Sequence, residues 1–124
     1  GKPDRDVFDQ AMRRGFAAIV TKDKAMECED TDLTGIALRH FRETRHRGRR
    51  TRNNFPLIVQ FDLSNRGNDL MPGLLSRYYK KVGQAVIDRR TPFVRLSPHN
   101  GYEMAHEIVH IEQLRPSATL EVAL

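Results

Sequence analysis

Apolar positions in the first third of the chain alternate between helical spacing and one unbroken run. Residues 7, 8, 11 and 12 are apolar, and this spacing predicts a helix over 4–14 that ends at Gly15. The run Phe16–Val20 predicts a strand that is buried on both faces of a parallel sheet. Helical spacing returns over 32–43 and predicts a second helix.

The middle of the chain repeats this alternation. Leu57–Phe61 and Phe93–Leu96 are mostly apolar runs of strand length. Between them an amphipathic stripe begins just after Pro72 and predicts a helix that ends near Asp88. Residues 102–114 fit a helix and an alternating strand equally well, so the pattern leaves their conformation open.

The order of these elements predicts an α/β fold with a small, mostly parallel sheet and helices on both faces. Helices that join parallel neighbours are expected to make right-handed crossovers. The 124 residues fit a single domain. Three strands are few for this architecture, and the abrupt start suggests that a first strand, expected upstream of Asp4, is missing.

The composition favours a protein with no membrane partner. No apolar run approaches the roughly 20 residues of a membrane span, and the first ten residues lack the apolar stretch of a signal peptide. Cys28 is the only cysteine, so no disulfide can form within the chain. We therefore expect a reducing, cytoplasmic location.

Arginine is concentrated in one part of this basic chain. The net charge is +5, and residues 39–52 hold seven Arg, two His and a single acid. Arginine binds phosphate bidentately, and a basic surface gains free energy by releasing counterions from nucleic acid. We predict that the polar loop 45–54 contacts RNA; a solvated loop without a ligand is the alternative. The predicted contacts are Arg45, Arg47, Arg49, Arg50 and Arg52.

Two carboxylates flank the first predicted strand. Asp4 opens the helix before it, and Asp23 follows its end. Side chains at such positions can converge on one hard cation, and oxygen ligands suit Mg²⁺ or Mn²⁺. The alternative is structural, because Asp also caps helices and forms turns.

The stretch from Pro3 to Asp23 resembles the PIN-like domains. It holds PDRDVFDQA at 3–11 and RGFAAIVTKD at 14–23, which give an acid-opened helix, an apolar strand and a strand end of the form valine-threonine-x-aspartate. The later predicted strands and helix fall in the order that this family requires. The resemblance therefore covers residues 3–96, with its motif confined to the first part.

This resemblance implies a metal-dependent nuclease that cleaves RNA phosphodiester bonds. Asp4 and Asp23 would be its catalytic and metal-binding acids, with Mg²⁺ or Mn²⁺ as the cofactor. The resemblance also implies the toxin of a toxin–antitoxin pair, with an antitoxin protein as a partner.

The sequence departs from the family pattern at two places. Ala25 and Met26 stand where the family often has a second acid and an aromatic residue. The family's first acid lies on the expected upstream strand. The acidic residues Glu27, Glu29 and Asp30 are alternative ligands, although a surface turn also explains them. Without a complete set of ligands the domain would be noncatalytic.

A second motif lies near the end of the chain. His106-Glu107-Ile108-Val109-His110 matches H-E-x-x-H, which on a helix places two imidazoles on one face to bind zinc beside a catalytic Glu. His106, Glu107 and His110 therefore form an alternative zinc site of a metallopeptidase. As a strand, the same segment would place the two His too far apart for that geometry.

Three functions remain open on the sequence alone. They are a metal-dependent ribonuclease, a zinc metallopeptidase, and a noncatalytic basic module that binds RNA or a protein. The tail 115–124 ends in the apolar run Leu120–Leu124, which fits either an added strand or a contact in a homo-oligomer.

Overall fold

A computed structural model describes residues 3–22, 32–46, 55–63 and 67–109. Within these ranges the chain forms four helices and four strands. In chain order they are α1 (Asp4–Arg14), β1 (Ala18–Thr21), α2 (Leu33–His46), β2 (Leu57–Phe61), α3 (Leu70–Asp88), β3 (Phe93–Ser97), β4 (Gly101–Met104) and α4 (Ala105–Ile108).

The four strands form one sheet in the order β1-β2-β3-β4. The first three are parallel, with Ile19 opposite Ile58 and Val59 opposite Val94, whereas β4 is antiparallel to β3. The predicted α/β fold with a mostly parallel sheet is therefore confirmed.

Side chains from the two faces of the sheet enter separate cores. One core joins α1 and α2 to the sheet through aromatic residues, with Phe8, Phe41 and Phe55 buried beside Ile58 and Phe93. The other joins α3 to the opposite face through mainly aliphatic residues of β2 and β3. Neighbouring residues of a strand point to opposite faces, so one strand supplies both cores.

The two crossovers between parallel strands have opposite hands. β1, β2 and β3 lie side by side in chain order, yet α2 packs on one face and α3 on the other. When two successive β-α-β crossovers move in the same direction across a sheet, they have the same handedness only if their helices lie on the same face of the sheet. The expectation that both crossovers are right-handed is therefore wrong for one of them.

The first strand is shorter and more exposed than the sequence predicts. β1 begins at Ala18, and Phe16 lies before it with 52% of its surface exposed. Val20 is 54% exposed because β1 is an edge strand and α3 packs over β2, β3 and β4. The prediction of a strand buried on both faces fits β2 and β3 instead.

The predicted helices form, with small shifts at their ends. Gly15 ends α1 in the left-handed conformation (φ 71°), where its N–H donates to Met12 O and the Phe16 N–H donates to Ala11 O. Asp32 precedes α2 and accepts hydrogen bonds from Gly35 N (2.6 Å) and Thr34 Oγ1 (2.7 Å). The bond from Gly35 N satisfies one of the free backbone donors of the first turn.

The segment whose conformation the sequence left open contains both kinds of structure. Residues 98–100 turn the chain, and Gly101–Met104 pairs with β3 before a single helical turn at Ala105–Ile108. Gly101 has φ 68°, a conformation that glycine adopts without strain. No helix within the described ranges is long and apolar enough to cross a membrane.

The parallel strands define two ends of the molecule, which we call the amino edge and the carboxyl edge. At the amino edge, where β1 to β3 begin, Leu57 N donates to Ala17 O and Ile58 N donates to Pro92 O. At the carboxyl edge, where they end, Asp62 N donates to Leu96 O. α1, α2 and α3 each end at the amino edge, since each is followed by the start of a strand, and α2 and α3 also follow the ends of strands at the carboxyl edge.

Candidate functional site

The carboxyl edge holds the polar residues that directly follow the parallel strands. Asp62 follows β2 and is half-buried. Lys22 follows β1, and its Nζ donates to Asn68 Oδ1 at 2.8 Å. Asp23 comes next in the chain and lies outside the described residues. Ligands of α/β proteins usually bind at this edge of the sheet.

Asp4 lies at the start of α1, at the opposite end of that helix from the amino edge. It is the first residue of α1 and is partly buried, and the positive end of the helix dipole favours a carboxylate there. Within the described residues, no three His, Cys, Asp or Glu side chains are arranged to hold a metal ion. Glu27, Glu29 and Asp30 lie outside those residues. The pairing of Asp4 with Asp23 therefore stays a prediction.

A row of polar residues crosses the sheet one step inside the carboxyl edge. Thr21 lies opposite Gln60, Gln60 opposite Arg95, and Arg95 opposite Glu103. Laterally paired residues point to the same face, and this face is the one that α1 and α2 cover, because Ile58 and Phe93 share it. We call these four residues the polar row.

The centre of the polar row is buried. Gln60 is fully buried and Arg95 is 5% exposed. Arg95 Nε donates to Gln60 Oε1 at 2.5 Å, and the guanidinium carbon lies 5.9 Å from the Phe93 ring centre. Arg95 Nη2 is buried with no hydrogen-bond partner, and no ion pair joins Arg95 to its neighbour Glu103.

Sequence analysis missed this row. Its signal is the presence of Gln60 and Arg95 inside otherwise apolar strand runs, LIVQF and FVRLS. A polar residue in a strand buried on both faces must find a partner within the core. The pairing between the two residues depends on the register of β2 with β3, which the sequence does not reveal.

The amino edge is basic. The C-terminal turns of α1 and α2 carry Arg13 with Arg14 and Arg45 with His46, and Arg89 and Arg90 follow α3. Arg13, Arg14 and Arg90 are exposed. Arg89 has a structural role, because its Nη1 donates to Phe55 O at 3.1 Å.

The arginine-rich segment is anchored at this basic edge. Arg45 lies in the last turn of α2, while Arg47, Arg49, Arg50 and Arg52 lie outside the described residues. Residues 47–54 join the end of α2 to the start of β2, and both of these points are at the amino edge. α2 has 14 residues, so its ends lie about 21 Å apart. The predicted phosphate contacts and the predicted metal acids are thus anchored at opposite ends of the molecule.

The H-E-x-x-H segment does not continue as a helix to its second His. α4 has four residues and ends at Ile108, and Val109 is extended with φ −109° and ψ 161°. His110 lies outside the described residues. His106 is exposed, and Glu107 Oε1 accepts a hydrogen bond from Met104 N at 2.8 Å, so Glu107 caps the turn. The helical face that the zinc motif requires is not formed over 105–109.

The Tyr102 hydroxyl has a raised pKa. Burial raises the pKa of the Tyr102 hydroxyl above 10.0, and the negative charges of Glu107 and Asp88 raise it further. The hydroxyl donates to Lys81 O at 3.4 Å, and Lys81 Nζ lies 5.4 Å from the ring centre. These contacts fasten β4 to α3.

Comparison of the chain with protein-family models, with curated proteins and with solved structures found no match.

Proposed function

We propose that this chain binds RNA through its amino edge. The observation that carries the proposal is the convergence of basic helix ends, which brings Arg13, Arg14 and Arg90 to the edge where the arginine-rich segment is anchored. The dipole of a single helix favours a cation at its C-terminus, and this effect alone accounts for one or two basic residues. The exposed residues Arg13, Arg14 and Arg90 come from the ends of two long helices. Together with the arginine-rich segment that follows α2 in the chain, they suit this edge to a polyanion.

The first experiment measures RNA affinity while charge is removed from the amino edge. Labelled single-stranded RNA is titrated with the wild-type chain and with a triple variant, Arg13→Gln, Arg14→Gln and Arg90→Gln, and binding is followed by fluorescence anisotropy. Arg89 is left intact because of its bond to Phe55. We expect the triple variant to bind at least about tenfold more weakly, with a shallower dependence on salt because fewer counterions are released.

A matched variant removes the same charge elsewhere. Arg5, Arg77 and Lys80 are exposed on α1 and α3, before the last turns of those helices. Replacing all three by Gln changes the net charge by the same amount. An equal loss of affinity in both variants would contradict a specific surface and indicate attraction by net charge alone.

A metal-dependent ribonuclease is the second candidate function. It is supported by the parallel pairing of β1 with β2, because Asp62 directly follows β2 and Asp23 comes two residues after β1 in the chain. The described carboxylates lack a three-ligand set, so Asp23 is needed to complete the site. A bound Mg²⁺ or Mn²⁺ would activate water and neutralise charge on the phosphate.

Cleavage separates these two functions. Labelled RNA is incubated with Mn²⁺ and the wild-type chain, an EDTA control, and the variants Asp23→Asn, Asp62→Asn and His106→Ala. Asp88→Asn removes an exposed acid at the amino edge and is the matched control. Cleavage lost with EDTA and with both carboxyl-edge variants supports the nuclease. Binding without cleavage leaves RNA binding as the function, and the toxin and antitoxin hypothesis then loses its basis.

A further inference from the structure

Arg95 is a buried charge with no counter-ion among the residues that the structure describes. Its Nε donates to Gln60 Oε1, which is a neutral acceptor, and Nη2 has no partner among the described residues. Leaving a buried N–H of a charged group unpaired is costly, and a buried charge normally has a counter-ion.

The nearest carboxylate in register does not supply that counter-ion. Glu103 lies directly across from Arg95 on β4, yet it forms no ion pair with Arg95 and stays half-buried. The face of the Phe93 ring attracts the guanidinium cation. The ring does not provide a hydrogen-bond acceptor for the Nη2 amino group. Gln60 holds the guanidinium in place through Nε, and the Nη2 amino group is left without an acceptor for its two N–H donors.

We propose that Arg95 and Gln60 form a binding site for an oxyanion, namely the phosphate group of a small ligand. Gln60 fixes the orientation of the guanidinium, so the Nη2 amino group of Arg95 is preorganised for an oxygen acceptor. Thr21 and Glu103, at the two ends of the row, are partly exposed. This site lies inside the carboxyl edge and does not depend on RNA binding at the amino edge.

The direct test follows the Arg95 guanidinium by NMR. The Nε–H resonance of Arg95, assigned by its loss in Arg95→Lys, is monitored while inorganic phosphate is added at constant ionic strength. We expect a saturable shift of this resonance, because the anion binds the same guanidinium. Acetate and adenosine monophosphate are parallel arms that distinguish a carboxylate and a phosphorylated ligand from free phosphate. If none of the three anions produces a saturable shift, the proposal is overturned.

Thermal unfolding provides the second readout. Phosphate binding to the folded state raises Tm with increasing concentration, and Arg95→Met is expected to abolish that increase while keeping its Tm in phosphate-free buffer at or above that of wild type. Glu103→Gln is expected to tighten phosphate binding by about threefold or more, because it removes the closest like charge. The triple variant Arg13→Gln, Arg14→Gln, Arg90→Gln is expected to retain the full phosphate effect.

The opposite set of results identifies a purely structural residue. If Arg95→Met and Glu103→Gln lower Tm equally, are not additive when combined, and leave the phosphate effect unchanged, then Arg95 pairs with Glu103 in solution and the proposal is wrong. Loss of the phosphate effect in the triple variant would place anion binding at the amino edge and also overturn it.

Discussion

At the carboxyl edge of the sheet the polar side chains are mostly buried and hydrogen-bonded, whereas at the amino edge the cations are exposed on helix ends. Asp32, Gln60 and Arg95 are each 5% exposed or less. Arg13, Arg14 and Arg90 are all exposed. The difference indicates that removing a hydrogen-bonded cap such as the Asp32 carboxylate at the carboxyl edge acts on stability, while charge removal at the amino edge acts on binding with little effect on stability.

The largest loss of stability is expected for Gly101→Ala, in the turn at the carboxyl edge. An added Cβ would lie 2.7 Å from Tyr78 Oη, and the residue has φ 68°. We expect a loss of about 2 kcal/mol or more in the free energy of unfolding, measured by urea denaturation. Gly83→Ala is the matched control in α3, where a Cβ meets no atom within 4 Å, and it should be stabilising. Equal stability of the two variants would contradict a strained turn.

The next largest loss of stability is expected for Asp32→Ala. It removes the acceptor for Gly35 N and Thr34 Oγ1 at the buried start of α2. We expect a loss of about 1–2 kcal/mol by the same measurement. Asp32→Asn keeps an acceptor oxygen and should recover most of the stability. A variant Asp32→Ala as stable as wild type would show that this end of the helix is not fixed by its cap.

Gly15→Ala tests the amino edge, where the chain leaves α1. The left-handed conformation at φ 71° is strained for alanine, although no neighbouring atom obstructs the Cβ. We expect a loss of about 1 kcal/mol, smaller than at Gly101 because the cost is conformational alone. Gly15→Asn should be milder. A loss larger than that of Gly101→Ala would reverse the proposed order of the two edges.

The smallest effect is expected for Tyr102→Phe and depends on pH. The pKa of Tyr102 is raised in the folded state, so its contribution to stability is present below pH 10.0 and is lost as the pH rises from there through the raised pKa. Tyr102→Phe should therefore make the free energy of unfolding fall less steeply over this range. Tyr79→Phe, which alters an exposed ring, is the control. Identical slopes in wild type and Tyr102→Phe would contradict the shift.

Hydrophobic spacing was enough to predict most of the fold. The helix ends at Gly15 and Asp88 and the strand Leu57–Phe61 are confirmed. The exposure of Val20 was not predictable, because an apolar run looks the same in an edge strand and a central one. The strand β4 was left undecided because its four residues are only partly buried and form a strand by pairing with β3.

The candidate sites were harder to predict than the fold. The pattern of residues identified Asp4 and the arginine-rich segment as candidate sites. It did not reveal how far apart in space these sites lie, because that distance depends on the antiparallel course of α2 relative to the strands. The H-E-x-x-H pattern has the right letters, but the helix that it requires ends at Ile108. Arg95 and Gln60 become a pair only through the register of the sheet. Each of these depends on contacts between distant parts of the chain.

The β3–β4 hairpin has a consequence for the order in which the sheet assembles. Its strands are joined by residues 98–100 alone, whereas β1 ends at Thr21 and its partner β2 begins at Leu57. Closing the long loop costs more conformational entropy than closing the short one, and long-range parallel pairs form slowly. We expect the folding nucleus to contain the hairpin and α3, with β1 joining last. Amide protons of β1 would then be the first in the sheet to exchange.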